Sequence, residues 1–281
     1  MVWGSSFILM KLGLYANGKT QVLNPFQVAA LRIFSAGIVL LLFFFKAAKK
    51  IPSKALGYIF LSGLLGNFLP AFLFCIAESR IDSSLTAMLN TLTPICALLT
   101  GILVYRSKAT FNQWMGVLTG LTGCILLFEG KSTLLPGEIW YALMVIAATV
   151  CYGVNVNLVR HKLYFLASIH IAAMAFTMLL IPSALVLYVT GFFRLPLSDA
   201  SHFIAVSSTS VLGTIGTALA TVAIYRLVQK GGAVFASMVT YGIPFVAIFW
   251  GFIYGESIGI VQVVGLMVIL AGVFMAGRLR A

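Results

Sequence analysis

Residues 25–50 read PFQVAALRIFSAGIVLLLFFFKAAKK, with one charge, Arg32, among the first 21 positions and three lysines among the last five. A run of about 20 apolar residues is enough to cross the ~30 Å hydrocarbon core of a bilayer. Inside that core no water satisfies backbone groups, so such a run is predicted to be helical. The terminal Lys46, Lys49 and Lys50 mark the side on which it ends, because lysine and arginine are retained on the cytoplasmic face.

The same grammar extends through the chain. Hydrophobic residues make up 61% of the 281 positions and charged ones 9%, with a mean hydropathy of +1.08. A soluble domain would need charged residues at roughly a quarter of its positions. Ten helices are predicted, over 1–16, 25–46, 55–78, 83–105, 111–129, 136–159, 165–191, 200–227, 232–254 and 258–277. Turn residues separate them: Asn24-Pro25, Ile51-Pro52-Ser53, Leu135-Pro136-Gly137 and Lys230-Gly231-Gly232. Strand-type alternation is absent, so a barrel is not expected.

Charge then fixes the topology. The acids Glu78, Asp82, Glu129, Glu138, Asp199 and Glu256 fall beside alternate connections. The others carry Lys46, Lys49, Lys50, Lys54, Arg106, Lys108, Arg160, Lys162, Arg226, Lys230, Arg278 and Arg280. Both termini are therefore expected in the cytoplasm of an inner (plasma) membrane protein. The net charge of +12 is explained by these loops and is no nucleic-acid footprint. The first helix is short for a span, about 24 Å at 1.5 Å per residue, so native residues are expected before Met1.

An internal repeat is visible. Trp3-Gly4 matches Tyr152-Gly153, Lys11 matches Arg160, and Gln113, Gly116 and Gly123 match Gln262, Gly265 and Gly272, all 149 positions apart. Ala87-Met88 and Pro94 match Ser237-Met238 and Pro244 at a separation of 150. Residues 1–130 and 131–281 thus read as two five-helix repeats. An odd number of spans inserts the second upside down, an architecture suited to a central site that opens alternately to each face.

Trp3-Gly4-Ser5-Ser6-Phe7, Leu31-Arg32-Ile33-Phe34-Ser35-Ala36, the run from Ala87 to Leu99 around Pro94, and Gly255-Glu256 followed by Gln262, Gly265 and Gly272 resemble, in order, motifs of the EamA-type drug/metabolite transporter superfamily. One departure is Tyr105-Arg106-Ser107, where the family carries an L-G-E-like triplet. The resemblance implies an all-α, ten-helix carrier that exports or exchanges small metabolites, often amino acids, with the lipid bilayer as its surroundings.

Polar side chains within spans are costly and normally face a cavity or another helix. Thr86, Asn90 and Thr93 share one face of helix four, and helix eight carries a stripe from Ser207 through Thr217, Thr221 and Tyr225. Helix three places Gly63, Asn67, Pro70 and Phe74 on one face, and helix six offers Tyr152 and Asn155. The candidate substrate residues are Trp3, Ser6, Asn67, Asn90, Thr93, Tyr152, Asn155, Thr217, Thr221 and Tyr241. Amides weigh most, since a helix cannot satisfy all their hydrogen-bonding sites by back-bonding. Pro94 and Pro244 are read as paired hinges, and Arg32, the one intramembrane charge, as a gating partner of Glu78. Gly116, Gly120, Gly123, Gly265 and Gly272 allow close helix packing. Cys75, Cys96, Cys124 and Cys151 form no C-x-x-C pair and are expected as buried, inert thiols.

The three histidines are scattered and no catalytic constellation or metal-ligand spacing exists, so neither an enzyme nor a cofactor is expected. No carboxylate falls at mid-membrane, which favours transport driven by the substrate's own gradient. The competing reading is a substrate-selective channel.

Overall fold

The computed structural model describes residues 6–16, 20–81, 83–128, 137–196, 198–243, 246 and 260–277. Helices α1 (Ser6–Leu14), α2 (Pro25–Leu41) and α3 (Phe44–Ala48) open the chain. Between α1 and α2 lies a strand pair too short for the alternation signal to reveal, Tyr15–Ala16 against Thr20–Gln21. The start of α2 follows from its sequence. Asn24 accepts from the Gln27 amide at 2.8 Å, the Gln27 side chain accepts from the Asn24 amide at 3.0 Å, and Pro25 supplies a helical φ. Gln27 also donates to the Thr190 carbonyl at 3.0 Å, which ties this cap to a distant helix end.

The third predicted helix is a rod from Ser53 to Glu78, built of α4 (Ser53–Gly63), a π-turn (Leu64–Phe68) and α5 (Leu69–Glu78). The fourth is broken. α6 (Ser83–Asn90) stops, Thr91 and Leu92 turn, and α7 (Thr93–Tyr105) restarts with Pro94 in its first turn. Proline is tolerated there and would be disruptive in an unbroken interior. α8 (Phe111–Phe128), α9 (Ile139–Lys162) and α10 (Ser168–Val189) follow, the last running through Pro182. A second long rod contains α11 (Ala200–Val211), a π-turn (Leu212–Leu219) and α12 (Ala220–Gly231). α13 (Ala233–Ser237), a 3₁₀ turn (Met238–Gly242) and α14 (Ile260–Gly277) follow.

Among the described residues five helices are long and apolar enough to cross a membrane, and 25–41, 233–242 and 263–276 are shorter apolar helices. The outward surface is apolar, with Ile181 80% and Leu103 77% exposed, as expected of side chains that meet lipid rather than water. The protein is an all-α polytopic membrane protein.

Lipid is as apolar as leucine, so helices associate through close packing of small residues. Among the described helices, α8 and α14 make the most extensive contact of any pair. A Cβ on Gly116 would lie 2.7 Å from the Gly272 carbonyl, one on Gly123 2.7 Å from the Gly265 carbonyl, and one on Gly272 2.5 Å from the Gly120 nitrogen. Gly153 does the same for α9 against α7, where a Cβ would meet the Cys96 backbone at 2.7 Å. Asn157 secures that crossing by donating to the Ala97 carbonyl at 2.7 Å. The cysteines are all free; Cys75 and Cys124 are buried and the other two half-buried.

Candidate functional site

The two π-turns lie at corresponding positions, with Gly66 and Asn67 of the first matching Gly216 and Thr217 of the second 150 positions later. A π-turn frees the backbone pattern locally, and such turns cluster at functional sites. Here both border one cavity of about 90 Å³. At roughly 10–15 Å³ per water, this is room for six to nine non-hydrogen atoms.

Ser6, Asn67, Asn90, Thr93, Tyr152, Asn155, Thr217 and Thr221, which the sequence reading singles out from separate helices, all line this space. Arg32 joins them. Trp3 and Pro244 lie outside the described residues. Tyr241 is placed elsewhere: its hydroxyl donates to the Val117 carbonyl at 2.9 Å and its ring occupies the room left by Gly120. It serves the α8 contact and not the cavity.

Hydrogen bonds across the cavity join the two parts of the chain. Ser62 donates to Asn155 Oδ1 at 2.6 Å and sits 2.9 Å from the Tyr225 hydroxyl. Thr221 donates to Asn67 Oδ1 at 2.9 Å. The Asn67 and Asn155 amide nitrogens each reach the same Tyr225 oxygen at 3.5 Å. Gly66 makes the arrangement possible, because a Cβ there would overlap the Asn155 amide. Phe74 and Tyr152 stack with centroids 6.0 Å apart and give the cavity an apolar wall.

Arg32 is engaged differently from the sequence expectation. Its Nε donates to Thr217 Oγ1 at 2.6 Å, and Thr217 in turn donates to the Leu212 carbonyl at 3.1 Å, a bond the π-turn creates. Glu78 is 3% exposed, and among the described residues neither of its carboxylate oxygens has a hydrogen-bond partner. Among the described residues the Arg32–Glu78 ion pair is not formed, although Lys11 and Arg32 are the cations whose fields reach Glu78. Thr93 donates to the Asn90 carbonyl at 2.7 Å and so closes the break before Pro94. Ser62 and Tyr225 are the members that sequence reasoning undervalued. A lone serine on an apolar helix carries no signal, and Tyr225 reads as the last residue of a stripe.

A second, wider recess of about 650 Å³ is bordered by Lys108, Arg160, His161 and Lys230. His161 stacks on Tyr105 with centroids 4.6 Å apart and approaches Ser107 at 3.2 Å. Among the described residues no group of three or more His, Cys, Asp or Glu is placed to hold a metal ion.

The sequence pattern of the EamA-like transporter family matches the chain over residues 1–129 and 139–278. The chain is 26% identical to the transporter YoaV of Bacillus subtilis, covering 98% of this chain and 92% of that protein. It is 24% identical to the inner membrane transporter YedA of Escherichia coli K12, over 98% and 87% of the two chains, and 22% identical to PagO of Salmonella typhimurium, over 98% and 89%. A protein of known crystal structure shares the fold with a TM-score of 0.71 at 17% identity, over 99% of this chain and 97% of that one.

Proposed function

Because this chain belongs to the EamA-like transporter family, we propose that it is a secondary carrier that exports or exchanges small metabolites, amino acids or related compounds, by alternating access across the plasma membrane. In this reading residues 1–130 and 131–281 form two inverted five-helix repeats, ten spans in all, with both termini in the cytoplasm. The observation that carries it is the 90 Å³ cavity, closed by hydrogen bonds that run from one proposed repeat to the other. A rocking motion of one repeat against the other would break and remake those bonds. The paired π-turns and the break at Pro94 are where helices can yield. The basic recess around Lys108, Arg160 and Lys230 then forms the inner vestibule. The described cavity lining holds no carboxylate, and this favours movement down the substrate's own gradient.

Counterflow in proteoliposomes tests the reading. A carrier preloaded with unlabelled substrate accumulates labelled substrate transiently and saturates, whereas a pore does neither. Asn90→Ala and Tyr152→Ala should each weaken substrate affinity at least tenfold, about 1.4 kcal/mol, while the protein still purifies as a folded species. Counterflow that requires an imposed proton gradient would overturn the proposed energetics, and its absence with every metabolite tried would remove the carrier itself.

A further inference from the structure

We propose that the central cavity recognises a free carboxylate, held by Arg32, and rejects organic cations; this rests on the carrier reading and narrows its substrates to small carboxylic acids.

Charge is the first ground. Arg32 is the one charged side chain among the described residues that line the cavity, and no aspartate or glutamate lines it. Glu78, at the end of α5, is not among the lining residues. A cation would therefore enter a low-dielectric space against a guanidinium, while an anion would be drawn to it.

The second ground is how the neutral groups are already spent. The amide oxygens of Asn155 and Asn67 accept from Ser62 at 2.6 Å and Thr221 at 2.9 Å, and that of Asn90 lies 3.2 Å from the Thr93 hydroxyl, which it shares with the Asn90 backbone carbonyl. The amide nitrogens are poorly used. Those of Asn67 and Asn155 share one tyrosine oxygen at 3.5 Å, the outer limit of a hydrogen bond, and that of Asn90 has no acceptor among the described residues. The least satisfied groups on these amides are thus N–H donors. Such donors suit the oxygens of an anion.

Geometry supplies the third ground. Thr217 takes the Arg32 Nε–H at 2.6 Å and so fixes the guanidinium. Among the described residues its two terminal NH₂ groups have no hydrogen-bond partner, and they are the pair of parallel donors that matches a carboxylate. The Phe74–Tyr152 stack gives a short hydrocarbon or aromatic substituent its apolar contact. With space for six to nine non-hydrogen atoms, the acids in question have about three to six carbons.

The test uses the purified full-length protein and a panel of three- to six-carbon 2-hydroxy, 2-oxo and 2-amino acids. Each is paired with its primary amide and its decarboxylated counterpart, and binding is read by thermal shift and by counterflow. The expected result is that acids bind at least tenfold more tightly than their amides and that amines do not bind. Arg32→Gln should abolish the response to acids. Arg32→Lys should retain part of it, and Thr217→Val, which leaves the charge but frees its orientation, should weaken it. If Arg32→Gln fails to fold, the Lys and Val variants carry the comparison. Amines or amides that bind as well as the acids would overturn the inference, as would acids that bind Arg32→Gln as well as the parent. Counterflow of uncharged or cationic compounds alone would sink the carboxylate and leave the carrier standing. Absence of counterflow with compounds of any class would sink both.

Discussion

The π-turns of the third and eighth predicted helices occupy corresponding positions and share a glycine, Gly66 and Gly216, 150 residues apart, yet they carry different chemistry. The first presents Asn67 to Thr221 and Tyr225 in an uncharged network. The second presents Thr217 to Arg32. The backbone device is common to both and the side chains on it have diverged. On the proposed two-repeat reading, the repeat supplies matched places for a helix to yield, and the residues that differ between them would set selectivity.

The largest effect should come from closing the gap that only the first turn needs. Gly66→Ala would push a methyl into the Asn155 amide and to 3.1 Å from the Tyr225 hydroxyl. A cost of about 2 kcal/mol in stability is expected, together with loss of transport. Gly216→Ala meets the flexible Leu212 side chain at 2.8 Å and Ser6 Oγ at 3.3 Å. It should be better tolerated. Equal losses in melting temperature for the two variants would mean that the turns are equivalent after all.

A smaller effect is expected where the halves differ in sequence. Arg106 caps α7 with φ 52° and ψ 31°, and its counterpart 149 positions later is Gly255. A left-handed arginine costs about 1–2 kcal/mol, partly offset by the greater backbone entropy of a glycine. Arg106→Gly should therefore raise the melting temperature by an amount equivalent to about 0.5–1 kcal/mol. A fall would show that the arginine's own contacts outweigh the strain.

The smallest effect concerns how the two rods begin. α4 starts at Pro52 without a side-chain cap, whereas α11 starts at Asp199, which accepts from the Ser201 amide at 3.4 Å and pairs with His202 at 2.9 Å. The His202 hydrogen bond, helped by the Ser201 amide, holds the Asp199 carboxyl below its ordinary value of 3.8. Its contribution is present above that value and is lost as pH falls through the lower folded one. Asp199→Asn should flatten the acid limb of the melting curve slightly below pH 4, and an unchanged acid limb would count against the pairing.

Much of the site is legible in the sequence because amides are conspicuous against lipid-soluble surroundings. Asn67, Asn90 and Asn155 stand out by cost alone, and all three line the cavity. Depth along a helix is legible as well, but azimuth is not. Arg32 and Glu78 carry opposite charges toward the same end of neighbouring predicted helices and invite pairing, yet Arg32 turns toward the second π-turn. Tyr241 was drawn away by a vacancy at Gly120, a feature of a different helix that periodicity cannot see. The π-turns leave no compositional mark, because one extra residue in a turn changes neither hydropathy nor length appreciably.

The glycine seam of α8 and α14 has a consequence for how the chain is held together. Two helices that meet backbone to backbone, one from the end of each half, act as a clasp independent of the peptide link between the halves. Cleaving the polypeptide between α8 and α9 should therefore yield two fragments that co-purify when expressed side by side, and a single Gly272→Leu change should make them part.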